Sequence, residues 1–218
     1  MSTKSFRTEQ ENFWAGEFGN NYILRNTGEQ RVAGNIALFS KIFANTPSVR
    51  SVLEFGSNVG LNLRAIRALL PDLQRLSALE INDRAVEELR TIEDLEVHHT
   101  SILEFSPQAT WDFVFTKGVL IHINPDELPG VYDKMYAASN RYLCVAEYYN
   151  PVPAEIPYRG HVGYLFKRDF AGEILDRFPD LRLISYGFAY HRDPMFPQDD
   201  LTWFLLEKTT LSDCSADG

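Results

Sequence analysis

The stretch VLEFGSNVGLN, residues 52–62, joins an apolar strand-like run to a helix-like one through a turn that holds two glycines. Strand, glycine turn and helix in that order open a βαβ unit. Gly56 permits a tight turn, and Gly60 permits close packing of helix on strand. Some way on, LSALE (76–80) ends a second strand-like run in Glu80, at the spacing of about twenty residues where a carboxylate can accept hydrogen bonds from both hydroxyls of a ribose. A glycine turn after a strand is a weak signal by itself. Joined to Glu80 at that spacing it points to a nucleoside-containing ligand. The pattern is E-x-G-x-N-x-G rather than G-x-G-x-x-G, so the first position is the acid Glu54. A carboxylate there would repel a pyrophosphate and suits a ligand with a cationic group.

Working outward, strand-like and helix-like runs alternate from about residue 50 to about residue 180, as a mostly parallel α/β sheet requires. SVLEF (51–55) and LSALE (76–80) are the first two strands, with a helix from near Gly60 through Leu70 between them, ended by Pro71-Asp72. A helix headed by Asp83 follows. LEVHH (95–99), DFVFT (112–116) and RYLCVAEY (141–148) supply three more strands, the last two separated by a helix opening at Pro125-Asp126. Residues 148–166, rich in Pro, Tyr and Gly, read as a long irregular loop, and loops of that kind carry function more often than not. After a helix from about Arg168 to Phe178, LRLISYGFAY (181–190) and LTWFLLEK (201–208) come with no helix between them and should pair as antiparallel neighbours. The expected fold is a single α/β domain over residues 1–218. It comprises an N-terminal helical cap (1–47), a Rossmann-like core (48–210) containing the 148–166 substrate loop, and a frayed tail (211–218). Its sheet is mostly parallel with an antiparallel C-terminal strand and helices on both faces.

Composition narrows the function. The formal net charge of -9, without a dense run of Lys or Arg, makes nucleic acid a poor partner. No apolar run reaches the roughly 18 to 20 residues of a membrane span, and the start MSTKSFRTEQENFW lacks the apolar core of a signal peptide. A cytoplasmic protein with no membrane partner is expected. Two cysteines, Cys144 and Cys214, are too few for a disulfide framework and are not spaced as metal ligands. His98 and His99 are adjacent on a strand, so their rings point to opposite faces and cannot share a metal.

At these residues the chain resembles the class I methyltransferases, which use S-adenosylmethionine. Glu54, Gly56, Ser57, Asn58 and Gly60 match the family's first motif, although Asn58 stands where Gly is commoner, and Glu80 with Ile81 matches its ribose-binding acid. By the same resemblance TSIL (100–103), with Ser101 and Ile102, falls where the family contacts adenine, and WDFVFTKGVLIHI (111–123), with Lys117, looks like its fourth motif. More narrowly, FWAGEFGNNYILRN (13–26), EYYNPVPAEIPYRGH (147–161) and LFKRDFAGE (165–173) resemble the methylases associated with pseudaminic acid biosynthesis. The resemblance implies that residues 13–26 close over the cofactor, with Arg25 free to pair with its methionine carboxylate. It also implies a small-molecule acceptor, an acidic sugar among the candidates, to which Arg159 would present paired hydrogen bonds.

Each residue singled out also has a plainer reading. Trp14, Phe18 and Tyr22 recur at a spacing that more often marks core packing than ligand contact, and His122 could be a satisfied, half-buried histidine near a helix start. Methyl transfer needs no obligatory catalytic constellation, but a hydroxyl acceptor needs a base. His122, Tyr148, Glu147 and His161 are the candidates near the sheet's carboxyl edge, and Tyr149, Tyr158, Arg159 and His161 are the candidates for acceptor recognition. Two other functions share the architecture: a nicotinamide-dependent oxidoreductase, disfavoured by Glu54 and by the antiparallel C-terminal pair, and a non-catalytic nucleoside-binding module.

Overall fold

The computed structural model describes residues 6–25 and 28–209. The tail expected from residue 211, with Cys214, lies outside the described residues. Three helices come first: α1 (Glu9–Ala15), α2 (Glu17–Ile23) and α3 (Glu29–Phe43). A capping box starts α1, in which the Thr8 hydroxyl accepts from Glu11 N (3.1 Å) and the Glu11 carboxylate accepts from Thr8 N (2.8 Å). Then follow β1 (Ser51–Phe55), α4 (Leu61–Leu69), β2 (Arg75–Glu80), α5 (Asp83–Leu89), β3 (Leu95–His99), β4 (Trp111–Lys117), α6 (Leu128–Ala138) and β5 (Ser139–Glu147). The C-terminal part contains β6 (Ala154–Glu155), β7 (Phe166–Lys167), α7 (Phe170–Arg177), β8 (Leu181–Ala189) and β9 (Leu201–Lys208).

Seven strands form one sheet in the order β3-β2-β1-β4-β5-β9-β8. The pairings among β1 to β5 are parallel, and β9 runs antiparallel to both β5 and β8. The alternation of side chains along a strand divides the core between the two faces. Leu53, Val114, Leu143 and Val145 pack on one face with Leu128, Val131 and Met135 of α6 and Phe170 and Ile174 of α7. Val52, Phe113, Phe115 and Cys144 pack on the other with Leu38, Phe39 and Ile42 of α3, Leu63 and Ile66 of α4 and Leu89 of α5. The sheet is thus the Rossmann-like arrangement expected, helices on both faces. Among the described residues no helix is long and apolar enough to cross a membrane.

Local differences from the sequence reading have local causes. A 3-10 turn, Pro125–Glu127, precedes α6, with the Asn124 side chain accepting from Asp126 N (3.1 Å). Helix α7 starts at Phe170 because the Asp169 carboxylate caps it through Gly172 N (2.9 Å). The larger correction concerns residues 148–166, which are not irregular throughout. Strands β6 and β7 pair antiparallel, Ile156 N donates to Leu165 O (2.9 Å), and Tyr158 and His161 exchange backbone hydrogen bonds at 2.8 and 2.9 Å. Arg159 (φ 49°) and Gly160 (φ 87°) between them are both left-handed, as a two-residue hairpin turn of the primed type demands. The segment is a short hairpin with Arg159 at its exposed tip.

The carboxyl ends of β1, β2, β4 and β5 share one edge, and the strand order reverses between β1 and β4. In open α/β sheets the crevice outside that reversal is where ligands bind.

Candidate functional site

The turn after β1 is held in an unusual backbone shape. Gly56 (φ 75°), Asn58 (φ 47°) and Gly60 (φ 77°) are all left-handed, and Asn is among the few non-glycine residues that tolerate this. At Gly60 a Cβ would meet only the movable ends of Ile92 (2.7 Å) and Leu89 (2.9 Å), so the left-handed backbone rather than the packing favours glycine there. Gly56 N and Ser57 N both donate to Leu79 O, at 2.9 and 3.1 Å. Glu80 completes the anchorage: Oε2 accepts from Asn58 N (2.7 Å), and Oε1 accepts from Ile81 N (2.9 Å) and Asn82 N (2.8 Å). Burial raises the pKa of Glu80, and these three N–H donors act against the rise. Asn82 caps α5 and donates through Nδ2 to Trp14 O and Asn20 Oδ1, each at 3.0 Å. The helical cap is thereby tied to the end of β2.

A cavity of about 260 Å³ opens along this edge. Gly56, Ser57, Asn58, Glu80 and Ile81 line it from the first two strand ends, Ser101 and Ile102 from the segment after β3, and Lys117 and Gly118 from β4. Trp14 and Tyr22 of the cap and Tyr158 of the hairpin line it too, as do Arg31 and Asn35 of α3 and Gln198 and Asp199 of the β8–β9 connection. Cap and hairpin are joined: Gln10 Nε2 donates to Gly163 O (2.8 Å), and the Phe13 ring lies 5.0 Å from His161 and 4.3 Å from Tyr164. Ser101 Oγ donates to Glu11 Oε1 and accepts from Leu103 N.

Four side-chain atoms of the lining, Gln10 Oε1, Trp14 Nε1, Asn58 Oδ1 and Asn62 Oδ1, are buried with no hydrogen-bond partner among the described residues. Folded proteins leave few such groups. Four around one cavity fit a ligand rich in polar atoms, as a nucleoside joined to an amino acid would be.

His122 lies on the wall below Trp14 and Tyr158, ring centroids 4.6 and 4.9 Å away. It ends a 3-10 turn, Leu120–His122, and is 7% exposed. Its Nδ1 is 2.5 Å from Tyr164 O. A carbonyl only accepts, so Nδ1 carries the hydrogen and Nε2 keeps a lone pair. Burial pulls its pKa down to about 4, so the ring is neutral at physiological pH. Behind it, Glu147 at the end of β5 is 2% exposed and holds the turn in place: Oε1 accepts from Val119 N (3.0 Å), Leu120 N (3.1 Å) and Thr116 Oγ1 (3.2 Å). Burial pushes Glu147 up to about 7.

No protein-family model matches the chain, and no curated protein matches it in sequence. Solved structures do match in three dimensions. Magnesium protoporphyrin IX methyltransferase (ChlM) from Synechocystis PCC 6803, solved with bound SAH, superposes with a TM-score of 0.65 at 13% identity, over 91% of this chain and 98% of that one. DesVI of Streptomyces venezuelae gives 0.63 at 11% identity, over 89% and 99%. The SAM-bound amino pentose methyltransferase CalS10 from Micromonospora echinaspora gives 0.62 at 12% identity, over 88% and 96%. The chain has the class I methyltransferase fold.

Within that fold the structure sorts the residues singled out from sequence. Gly56, Ser57, Asn58, Glu80, Ile81, Ser101, Ile102, Lys117, His122, Tyr148 and Tyr158 all line the cavity, and Gly60 shapes the turn. Six others are placed elsewhere, among them Glu147, buried behind the turn that carries His122. Arg25 is exposed beside Phe18, 5.9 Å from its ring, and does not reach the lining. Tyr149 is 41% exposed and packs toward Phe204 on the outer side of β5. Arg159 and His161 sit at the hairpin turn, the one at its tip and the other against Phe13 and Phe18, because the turn directs residues 159–161 away from the cavity. Glu54 is wholly buried behind the wall, its Oε1 accepting from Asn62 Nδ2 (2.6 Å) and its Oε2 unpartnered. Sequence reasoning missed Arg31, Asn35, Gln198 and Asp199, since α3 and the β8–β9 connection carry no motif.

The burial of Glu54 leads to a measurable consequence. Desolvation pushes its pKa up to about 8, against 4.5 ordinarily, so the folded ligand-free protein keeps a proton there that the unfolded chain has released. Stability from this group is therefore complete below pH 4.5 and is lost as pH rises through about 8. Glu54→Gln should flatten that decline and gain on the order of a few kcal/mol over wild type at high pH. Urea unfolding at pH 5 and pH 9 checks it, and parallel pH dependences in the two proteins would refute it.

Proposed function

We propose that the chain is a methyltransferase that uses S-adenosylmethionine to methylate a small molecule. The observation that carries the reading is the cavity at the carboxyl edge of the sheet, bordered by the Gly56–Gly60 turn and Glu80 and ringed by unpartnered buried polar atoms. Glu80 would face the ribose hydroxyls, and Ser101 and Ile102 would flank the base. The cofactor supplies an electrophilic methyl group on a sulfonium. The protein's part is to align the acceptor, exclude water and take a proton. Trp14, Tyr22 and Tyr158 cover the cavity against solvent. His122, neutral and with Nε2 free to accept, is the base for a hydroxyl acceptor, and the Tyr164 carbonyl stabilises the resulting imidazolium through Nδ1. An amine acceptor would need that proton transfer less.

The finer part of the proposal is that the acceptor is a nonulosonic acid-type, pseudaminic acid-related sugar or its precursor, methylated on oxygen or nitrogen. The likeness of residues 13–26, 147–161 and 165–173 to the methylases associated with pseudaminic acid biosynthesis supports it, as does the amino pentose methyltransferase among the structural neighbours. With Arg159 at the hairpin tip, the cations that line the cavity are Lys117 at the end of β4 and Arg31 of α3. Calorimetry tests the cofactor: S-adenosylmethionine and S-adenosylhomocysteine should bind in the micromolar range, on the order of -8 kcal/mol, while NAD gives no heat. Folded protein that binds neither would end the proposal.

A further inference from the structure

The seven-stranded sheet has two outer edges, and their sequences differ in kind. Strand β3 carries Glu96, His98 and His99 within its five residues, side chains of the sort that keep other strands from pairing with an edge. Strand β8 carries one charge, Arg182, whose guanidinium donates to Glu207 of β9 (2.7 Å). Beyond it residues 183–190, LISYGFAY, hold neither a charged residue nor a proline. Among the described residues nothing pairs with the outer side of β8. The large apolar side chains of this stretch also share one face. Leu183 pairs with Leu206, Tyr186 with Phe204 and Phe188 with Thr202, and alternate residues of β9 point the same way. The irregularity between Leu183 and Ser185 keeps Leu183 on the side of Tyr186 despite their odd spacing. Tyr190 follows, its ring 6.1 Å from Phe188. The rings of Tyr149, Phe204 and Tyr186 step from the end of β5 across β9 to β8, with centroids 5.8 and 6.3 Å apart. That row ends in solvent, where Tyr186 is 68% and Phe188 57% exposed.

We infer that β8 is the seat of a homodimer, pairing antiparallel with β8 of a second copy about a two-fold axis at Gly187. That register sets Phe188 opposite Tyr186 of the partner subunit, twice over, so the aromatic row continues across the axis and the two sheets become one. The area fits. Leu183, Tyr186, Phe188 and Tyr190 are each about half exposed or more, which is roughly 100 Å² apiece for side chains that bury 150 to 250 Å² when covered. The resulting patch of roughly 400 Å² is close to the apolar share of the ~800 Å² that one partner contributes to a standard interface. A second copy suits this strip better than an unlike partner does, because the strip offers no charge for one to complement and two such strips meet without desolvating an ion. Pairing of β8 with β3 of another molecule would crowd Glu96, His98 and His99 and would build an open filament, whereas the β8–β8 contact closes on itself. Strand β8 lies three places from β4 in the sheet, so the contact is separate from the cavity and independent of the methyltransferase reading.

Sedimentation equilibrium on the full chain tests the dimer. Wild type should run at twice the monomer mass at micromolar concentration. Tyr186→Lys combined with Phe188→Lys gathers like charges at the axis and removes two central anchors, so association should weaken about hundredfold or more, while circular dichroism shows the sheet intact. Amide hydrogen exchange locates the contact. The amides of residues 185–189 that face away from β9 should exchange at least about tenfold more slowly in the wild-type dimer than in the double variant. Dilution of wild type below its dissociation constant should release the same amides, which gives the comparison without any substitution. A wild type that stays monomeric up to about 100 μM, an affinity too weak for a stable dimer, would overturn the inference and leave the strip to an unlike partner. A dimer that survives the double substitution in folded protein, or whose outer β8 amides exchange no more slowly than the monomer's, meets through another surface and overturns it equally.

Discussion

His122→Asn is expected to slow methyl transfer to a hydroxyl acceptor by about 10²- to 10⁴-fold, the usual share of a positioned base, while S-adenosylhomocysteine binds as to wild type. Asparagine is the informative replacement. Its amide nitrogen can still donate to Tyr164 O, as Nδ1 does at 2.5 Å, so the tie between the 3-10 turn and the hairpin survives and the basic Nε2 does not. His122→Ala removes both and leaves a gap beneath Trp14 and Tyr158. If His122 only packs, the alanine variant will be impaired and the asparagine variant active. If it is the base, both will be slow. A stability measurement needs no acceptor at all. With a folded pKa near 4 against 6.5 ordinarily, the ring stays neutral in the folded protein while the unfolded chain takes up a proton. Stability from this group is present above pH 6.5 and falls as pH drops toward 4. His122→Asn should lack that component in acid urea titrations, and an unchanged acid dependence would show that the imidazole is not held neutral.

Much of this site was legible because its geometry is dictated locally. The apolar run to Phe55, the left-handed turn at Gly56 and Gly60 and the acid at the end of the next strand follow from residues near one another in sequence, and the alternation of buried residues made each parallel strand readable. What depends on distant contacts was not legible. Arg159 looked like a binding residue because of its charge, yet the Arg159-Gly160 pair is what a primed hairpin turn uses, and the turn chemistry decides where the side chain goes. Glu54 was read for its charge, but its complete burial between strands removes that charge at neutral pH. Arg31 and Asp199 come from elements far apart in sequence that meet only in the fold, where Gln198 donates to Asn35, and both line one cavity. Trp14 and Tyr22, whose spacing suggests plain core packing, line the cavity because the short helices α1 and α2 lie across the sheet edge.

Glu80→Ala should produce the other large effect, and the structure changes what that effect contains. From sequence Glu80 is a ribose ligand alone. In the structure its carboxylate also gathers Asn58 N, Ile81 N and Asn82 N at 2.7, 2.9 and 2.8 Å. Alanine would strand three backbone donors at a position 8% exposed, so a loss of about 2 to 4 kcal/mol in stability is expected, at roughly 1 to 3 kcal/mol for a stranded donor and less where water reaches it. Weaker binding alone would therefore not identify a ribose contact, because a loosened Asn58 turn weakens binding indirectly. A double-mutant cycle separates the two. Wild type should bind adenosine more tightly than 2′-deoxyadenosine, by about 1.5 to 3 kcal/mol if the carboxylate accepts from the 2′-hydroxyl. Loss of that preference in Glu80→Ala would place the contact on the ribose, whatever the variant does to overall affinity. If the variant is less stable and binds both nucleosides weakly but still prefers adenosine, Glu80 anchors the turn and another group reads the ribose. Glu80→Gln, which keeps one oxygen for Ile81 N and Asn82 N and gives up the acceptor for Asn58 N, should fall between wild type and alanine in urea unfolding, which ties the stability loss to the anchored turn.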